Sequence, residues 1–298
     1  MSHLHHVQKI EYNVAHQCNL RCDHCDHLSP FFSARDAGFN QSISPENFAR
    51  QLSMLAPHLH TESFLILGGE PLLQKRILEF LNSLRESRIA DRIVLVTNGF
   101  LLLQQPDELF QSVHKIMISH YTSRPLAEET IAKIRVRCEA AGVELEIVRQ
   151  PRFSMSVAGE KNPDSKQVNA IFQTCTVAWK QRCYTIHDGY IYSCSRAPFL
   201  GYMLHRQGLV ERDFHKEDGL KLEDSSDFAE RAQAYFESST PLNACSYCLG
   251  SVGKRVKHRQ MTQDEIDGQV WGQRTIADSI DRWKAFRKFN LWRILGIR

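Results

Sequence analysis

Three cysteines fall within eight residues, Cys18-Asn-Leu-Arg-Cys22-Asp-His-Cys25. Three thiolates this close can hold three corners of a [4Fe–4S] cube and leave the fourth iron open to another ligand. A structural zinc site wants four protein ligands, and no fourth cysteine lies nearby. A second set, Cys175, Cys194, Cys245 and Cys248, supplies four thiolates. That is the ligand count of a fully coordinated [4Fe–4S] cluster, although four thiolates also fit zinc. A cluster there could also serve only to prop up the fold. Cys183 is left over. It could replace Cys175 as a ligand or sit as a buried inert thiol. Cys138 reads as a packing residue of a helix. A zinc ribbon built from the first set and Cys245–Cys248 would leave Cys18 unexplained.

The 298 residues carry a net charge of +3, with 42% hydrophobic and 24% charged residues. This composition fits one large or two unequal globular domains and is too evenly charged to point to a nucleic-acid partner. No run approaches the roughly 18 apolar residues of a membrane-spanning helix, and Met1–Gln8 has no apolar core of a secretory signal. The expected compartment is therefore cytoplasmic and reducing, where nine cysteines are better read as ligands and thiols than as disulfides.

The elements that would hold these groups alternate. Strands are expected at Val7–Val14, Ser63–Leu67, Arg92–Thr97, Lys115–Ser119 and Val143–Arg149. Helices are expected at Pro45–Leu59 (capped by Ser44), Leu73–Arg88, Phe100–Ser112 with a break at Pro106, and Leu126–Ala141 ended by Gly142. Strand–helix alternation implies parallel βα units, and about five are too few to close an eight-stranded barrel. The predicted fold is α/β, a partial TIM-like (β/α) barrel over residues 1–151. A linker is expected at 152–174, an auxiliary region at 175–260, and a terminal helical segment at 261–298. Asp188-Gly189 between Cys183–His187 and Tyr190–Cys194 signals a hairpin.

The triad's C-x3-C-x2-C spacing resembles the signature of the radical S-adenosylmethionine (radical SAM) superfamily. Leu67-Gly68-Gly69-Glu70-Pro71 after the second strand resembles that family's GGEP motif, and Thr97-Asn98-Gly99 ends the third strand. The resemblance covers about residues 7–150. It implies that Cys18, Cys22 and Cys25 hold a [4Fe–4S] cluster whose open iron chelates SAM. It further implies that Gly68, Gly69, Glu70 and Pro71 meet the SAM amino group, that Asn98, Ser119 and Arg149 face SAM, and that a 5′-deoxyadenosyl radical abstracts hydrogen from a substrate. His24 stands where the family usually has an aromatic residue near adenine.

The later pattern, Cys175-x13-Gly189-x4-Cys194 followed by Cys245-x2-Cys248, resembles the auxiliary-cluster extension called SPASM or its short form, twitch. A full SPASM extension needs about seven cysteines and only five are present, so the resemblance is to twitch, with one auxiliary [4Fe–4S] cluster. Twitch enzymes oxidise or epimerise carbinol carbons of sugars and aminocyclitols, and in an epimerisation Cys183 could give a hydrogen atom to the substrate radical. A small polar substrate of that kind is the leading expectation. His120, Tyr121, Gln150 and Arg152 are candidate contacts, with a flavodoxin- or ferredoxin-type protein as electron donor. Peptide modification is the rival, but the first strand begins by Val7, leaving no room before it for a peptide-recognition domain. A zinc-stabilised binding module is the non-enzymatic alternative. Near the C-terminus, Ile276, Ile280 and Trp283 follow helical spacing, and six Lys or Arg residues follow Asp281 with no acid among them. Such a helix could pack on the barrel, lie on an anionic inner membrane surface, or meet a protein partner.

Overall fold

The computed structural model describes residues 5–32, 36, 39, 43–268 and 270–295. Strand β1 (His5–Ala15) is followed by α1 (Pro45–Leu55), β2 (Leu59–Gly68), α2 (Ile77–Ser87), β3 (Ala90–Thr97), α3 (Asp107–Gln111), β4 (Lys115–Tyr121), α4 (Glu128–Ala141) and β5 (Glu144–Gln150). Local chemistry sets the boundaries. The Ser44 hydroxyl accepts from the Asn47 amide at 3.2 Å and starts α1, with Pro45 at its first position. Gly142, at φ 69°, closes α4. The helical stretch expected over Phe100–Ser112, with its break at Pro106, is a 3₁₀ turn at Leu102–Gln104 followed by short α3. Pro106, extended at φ −67° and ψ 159°, stands between them as the cap of α3.

Strands β1 to β5 are parallel, and consecutive strands lie side by side. Ile10, Tyr12 and Val14 of β1 share the main core with Phe64, Leu95, Ile116 and Ile118 of the neighbouring strands and Phe48, Phe80, Phe110 and Ile134 of the helices. Tyr12 and Phe48 rings meet at 4.3 Å. The alternate residues of β1, Glu11 and Asn13, are also buried but polar, so the other sheet face is a polar interior. β5 ends the sheet as an unclosed edge. The structure is thus a partial parallel barrel.

The chain then forms β6 (Arg152–Ser154), α5 (Ser165–Gln173), β7 (Cys183–His187), β8 (Tyr190–Tyr192), α6 (Ala197–Arg206), β9 (Leu220–Lys221), α7 (Phe228–Glu237) and β10 (Arg255–Lys257). Residues 152–174, expected as a linker, therefore carry a strand and a helix. α5 forms because Asp164 caps it and Val168, Ile171 and Phe172 are buried. The hairpin forms as expected, with Asp188 and Gly189 at φ 45° and 76°. Its placement was not foreseen. β7 pairs parallel with the free side of β1, and β8 and β9 continue the same sheet antiparallel, giving eight strands. β6 pairs with β10 as a separate ribbon.

The terminal segment is not one helix. It comprises α8 (Gln263–Asp267), a 3₁₀ turn at Val270–Gln273, α9 (Ile276–Ser279) and α10 (Arg282–Leu295). Ile280, extended at ψ 134°, breaks the expected face between α9 and α10. Ala285 and Phe289 pack α10 on Ile171, Leu249, Val252 and Ile280, while Trp283 and Phe286 are 68% and 66% exposed. The side chains of Trp292, Ile294, Leu295 and Ile297 lie outside the described residues. No described helix is long and apolar enough to cross a membrane.

Candidate functional site

The C-terminal ends of the parallel strands meet at a cavity of about 120 Å³. Cys18, Cys22 and Cys25 line it together with Gly68, Gly69, Asn98, Ser119 and Tyr121. The cysteine loop is pinned by backbone. The Gly69 amide donates to the Ala15 carbonyl at 2.7 Å, and the Glu70 amide to the Gln17 carbonyl at 2.9 Å. A Cβ on Gly68 or Gly69 would lie 2.1 or 2.2 Å from those same carbonyl oxygens, so these two glycines permit the close approach of β2's end to the loop.

Glu70 is buried and fully engaged within the protein. Its Oε1 accepts from the Thr97 hydroxyl at 2.6 Å and the Leu72 amide at 3.1 Å, and its Oε2 from the Asn98 amide at 2.9 Å. Burial raises its carboxyl above the usual range, opposed by those three donors. Pro71 opens the 3₁₀ turn that follows. The triad thiols receive N–H donors. Leu20 N lies 3.4 Å from Cys18 Sγ, Asn98 Nδ2 3.8 Å from the same sulfur, and Gln260 Nε2 3.4 Å from Cys22 Sγ. Burial nonetheless lifts the Cys18 and Cys22 thiols to about 12, so iron must displace their protons.

Not every predicted residue reaches this cavity. His24 points to a separate small cavity and bonds Arg274 through Nδ1 at 2.9 Å. Burial first, then the Arg274 charge, lower its imidazole to about 4. Arg149 and Arg152 are exposed, and Gln150 is half-buried on edge strand β5 or just beyond it. Both His120 ring nitrogens are buried without a partner. Tyr121 does face the cavity and stacks on His258 at 4.7 Å.

The four later cysteines line a second cavity. Cys175 follows α5, Cys194 follows β8, and Cys245 and Cys248 sit in and after a 3₁₀ turn at Asn243–Tyr247. The rest of the lining is largely apolar, with Arg196 the one charged side chain. Arg196 is buried. It donates to Asp26 at 2.7 Å and to Ser156 at 3.2 Å, while its Nη1 has no partner. The Asp26 carboxylate first, then the neighbouring Cys248 and Cys194 sulfurs, stabilise its charge against the cost of burial. Four thiols around an unspent guanidinium N–H are a donor set suited to an anionic cluster. Among the described residues, no three of His, Cys, Asp or Glu are arranged to hold a single metal ion. Cys183 is elsewhere. At the start of β7 it pairs with Lys9, and its thiol lies 3.3 Å from Glu11 Oε2. Cys138 is buried in the main core, as read.

A third and larger cavity, about 760 Å³, shares Cys18, Leu20, Ser29 and Pro30 with the first. Gln17, Arg21, Gln207, Gln263 and Asp267 give it polar walls. Sequence reasoning missed these residues and also Arg196, Gln260 and Arg274. None stands in a local motif that names a ligand. Thr97 stands in the Thr97-Asn98-Gly99 motif, but its bond to Glu70 was not foreseen.

Residues 12–141 match the Radical SAM superfamily. A GTP 3′,8-cyclase of Helicobacter pylori is 32% identical over 105 residues, 35% of this chain and 31% of that protein. A probable GTP 3′,8-cyclase of Methanocaldococcus jannaschii is 26% identical over 128 residues, 43% of this chain and 41% of that one. The match thus spans well under half the length of these relatives. Among solved structures, BtrN in complex with AdoMet and 2-DOIA is 16% identical with a TM-score of 0.46, covering 85% of this chain and 96% of that one. Streptococcus suis SuiB bound to S-adenosylmethionine is 19% identical with a TM-score of 0.37, covering 47% of this chain and 33% of that one. Residues 12–141, just under half of the chain, thus form a Radical SAM domain.

Proposed function

We propose that this protein dehydrogenates a carbinol carbon of a small, hydroxyl-rich substrate of the sugar or aminocyclitol kind. Cys18, Cys22 and Cys25 would hold the SAM-binding [4Fe–4S] cluster, and Cys175, Cys194, Cys245 and Cys248 an auxiliary one. With SAM, these groups would supply a 5′-deoxyadenosyl radical for hydrogen abstraction and a sink for the remaining electron, with the hydroxyl proton passing to solvent. The chain's own part is to bind and orient. Gln17, Arg21, Gln207, Gln263 and Asp267 offer hydrogen bonds on several sides of one cavity that runs up to Cys18. That continuity with the triad's cavity is the observation that carries the reading.

Dehydrogenation is preferred to epimerisation. Epimerisation needs a hydrogen donor, and Cys183 lies some six strand residues below the cavity end of β1, about 20 Å at the usual rise. Four thiols lining one largely apolar cavity match the ligand count of a [4Fe–4S] cluster. The names of the curated relatives favour a second reading, a purine nucleotide as substrate.

The test is anaerobic. About eight irons per chain should fall to about four in a Cys18/Cys22/Cys25→Ala variant. Wild type should then form 5′-deoxyadenosine from SAM with carbinol-deuterated polyols or aminocyclitols, and carry the deuterium into it. Deuterium transfer only from a ring-deuterated guanosine nucleotide would favour the second reading. Iron-free protein with stoichiometric zinc would end both.

A further inference from the structure

Residues 259–261 run antiparallel to residues 21–23 of the cysteine loop. The Asp23 amide donates to the Arg259 carbonyl at 3.0 Å and the Met261 amide to the Arg21 carbonyl at 2.7 Å, with Cys22 opposite Gln260. Charge fastens this strap. The buried Asp23 carboxylate receives Arg259 at 2.8 Å and Arg274 at 2.6 Å.

The Gln260 carboxamide bridges strap and loop. The Arg21 backbone can only donate, so the atom facing it at 2.6 Å is the amide oxygen. That fixes the orientation of the group and leaves Nε2 for Cys22 Sγ, at 3.4 Å. Among the described residues, a second side-chain N–H donor to the triad, Asn98 Nδ2, is farther from its sulfur at 3.8 Å and is shared with Asn19 Oδ1 at 2.6 Å. Among the described residues, Gln260 therefore makes the closest side-chain N–H contact with a triad sulfur. An N–H aimed at a ligand sulfur favours the state with more negative charge on the cluster, which is the reduced state.

We infer that Gln260 is a positioning residue that raises the reduction potential of the cluster held by Cys18, Cys22 and Cys25. The inference rests on the reading of those cysteines as cluster ligands. Through it, a segment some 240 residues from the triad sets how readily the cluster accepts the electron that SAM cleavage requires.

The experiment is an anaerobic redox titration of the full, iron-loaded chain followed by electron paramagnetic resonance. Added SAM identifies the triad's cluster by perturbing its signal. Gln260→Met removes the donor at similar volume and without charge. Gln260→Glu keeps the acceptor for Arg21 and puts a carboxylate oxygen toward the sulfur. With Met, the reduced-to-oxidised ratio at a fixed poise should fall at least threefold, about 30 mV at 59 mV per decade. Glu should lower it further, and the signal from the other cysteine set should not move. If Met does not load iron, Glu is read alone against wild type. Wild-type iron content with an unchanged potential in the variants overturns the inference. Iron content that does not fall in the Cys18/Cys22/Cys25→Ala variant overturns the underlying reading instead, and the inference with it.

Discussion

Glu70 accepts a hydrogen bond from the Thr97 hydroxyl at 2.6 Å, which ties the end of β2 to the end of β3. With the Asn98 and Leu72 amides on the same carboxylate, one buried side chain aligns two strand ends beneath the cysteine loop. Glu70→Ala would strand three buried donors at about 1–3 kcal/mol each, less whatever water recovers. The expected loss is about 2–5 kcal/mol in urea unfolding of the iron-free protein. Glu70→Gln, which keeps one acceptor oxygen, should lose less. Equal stability of the Ala variant and wild type would refute the clamp.

The glycine pair makes a sharper test. An alanine Cβ at position 69 would sit 2.2 Å from the Gln17 carbonyl oxygen and 2.4 Å from that of His16. Both are backbone atoms next to Cys18, so relief must come from moving the cysteine loop. Gly69→Ala should therefore lose the triad's iron, about half the total, while circular dichroism stays native. Gly142→Ala is the control. Its Cβ meets nothing within 4 Å, and its φ of 69° costs only about 1 kcal/mol, with iron content unchanged.

The strands, the helices and both cysteine sets were legible because their signals are local. Hydrophobic alternation marks β1 to β5, Asp188-Gly189 marks the hairpin, and fixed spacing marks Cys18, Cys22 and Cys25. What could not be read was long-range. Nothing in Cys183–His187 says that β7 will pair with β1 rather than begin a separate sheet. Gln260 and Arg274 reach the triad loop only through the fold, and Arg196 acquires its role from Asp26 and the cysteines around it. His24 likewise takes its setting from the fold, since its neighbour Arg274 is 250 positions away.

Asp218 holds the turn that carries Cys245. Its carboxylate accepts from the Asn243 amide at 2.6 Å, the Asn243 side chain at 3.0 Å and the Ala244 amide at 2.8 Å. Burial outweighs these donors and raises its carboxyl from 3.8 to about 6. A raised acid is favoured in its protonated form by the fold. Its stabilising contribution is complete below about pH 4 and lost as pH rises through about 6, some 3 kcal/mol at 1.36 kcal/mol per unit. Urea unfolding of iron-free protein between pH 4 and 7 should contain this component in wild type and lack it in Asp218→Asn. Parallel pH profiles would count against it. Asp218→Ala, which frees the turn, should also lower iron bound by the second cysteine set.

Cys183 closes the list of thiols with a negative expectation. Its sulfur faces Glu11 in the polar interior, and its residue pairs with Lys9 near the beginning of β1. Burial first, and the Glu11 carboxylate second, push its thiol far above the usual range, and it lines neither of the cavities that hold the other two cysteine sets. Cys175, by contrast, lines the cavity with Cys194, Cys245 and Cys248. Cys183→Ala should keep wild-type iron content and give the same product with the same solvent-deuterium pattern. Its cost should be confined to about 1–2 kcal/mol of packing and hydrogen bonding at a small buried side chain. Cys175→Ala should lose iron from the second set. If the Cys183 variant instead lost that iron, or changed the solvent deuterium in the product, the assignment of the two thiols would have to be exchanged.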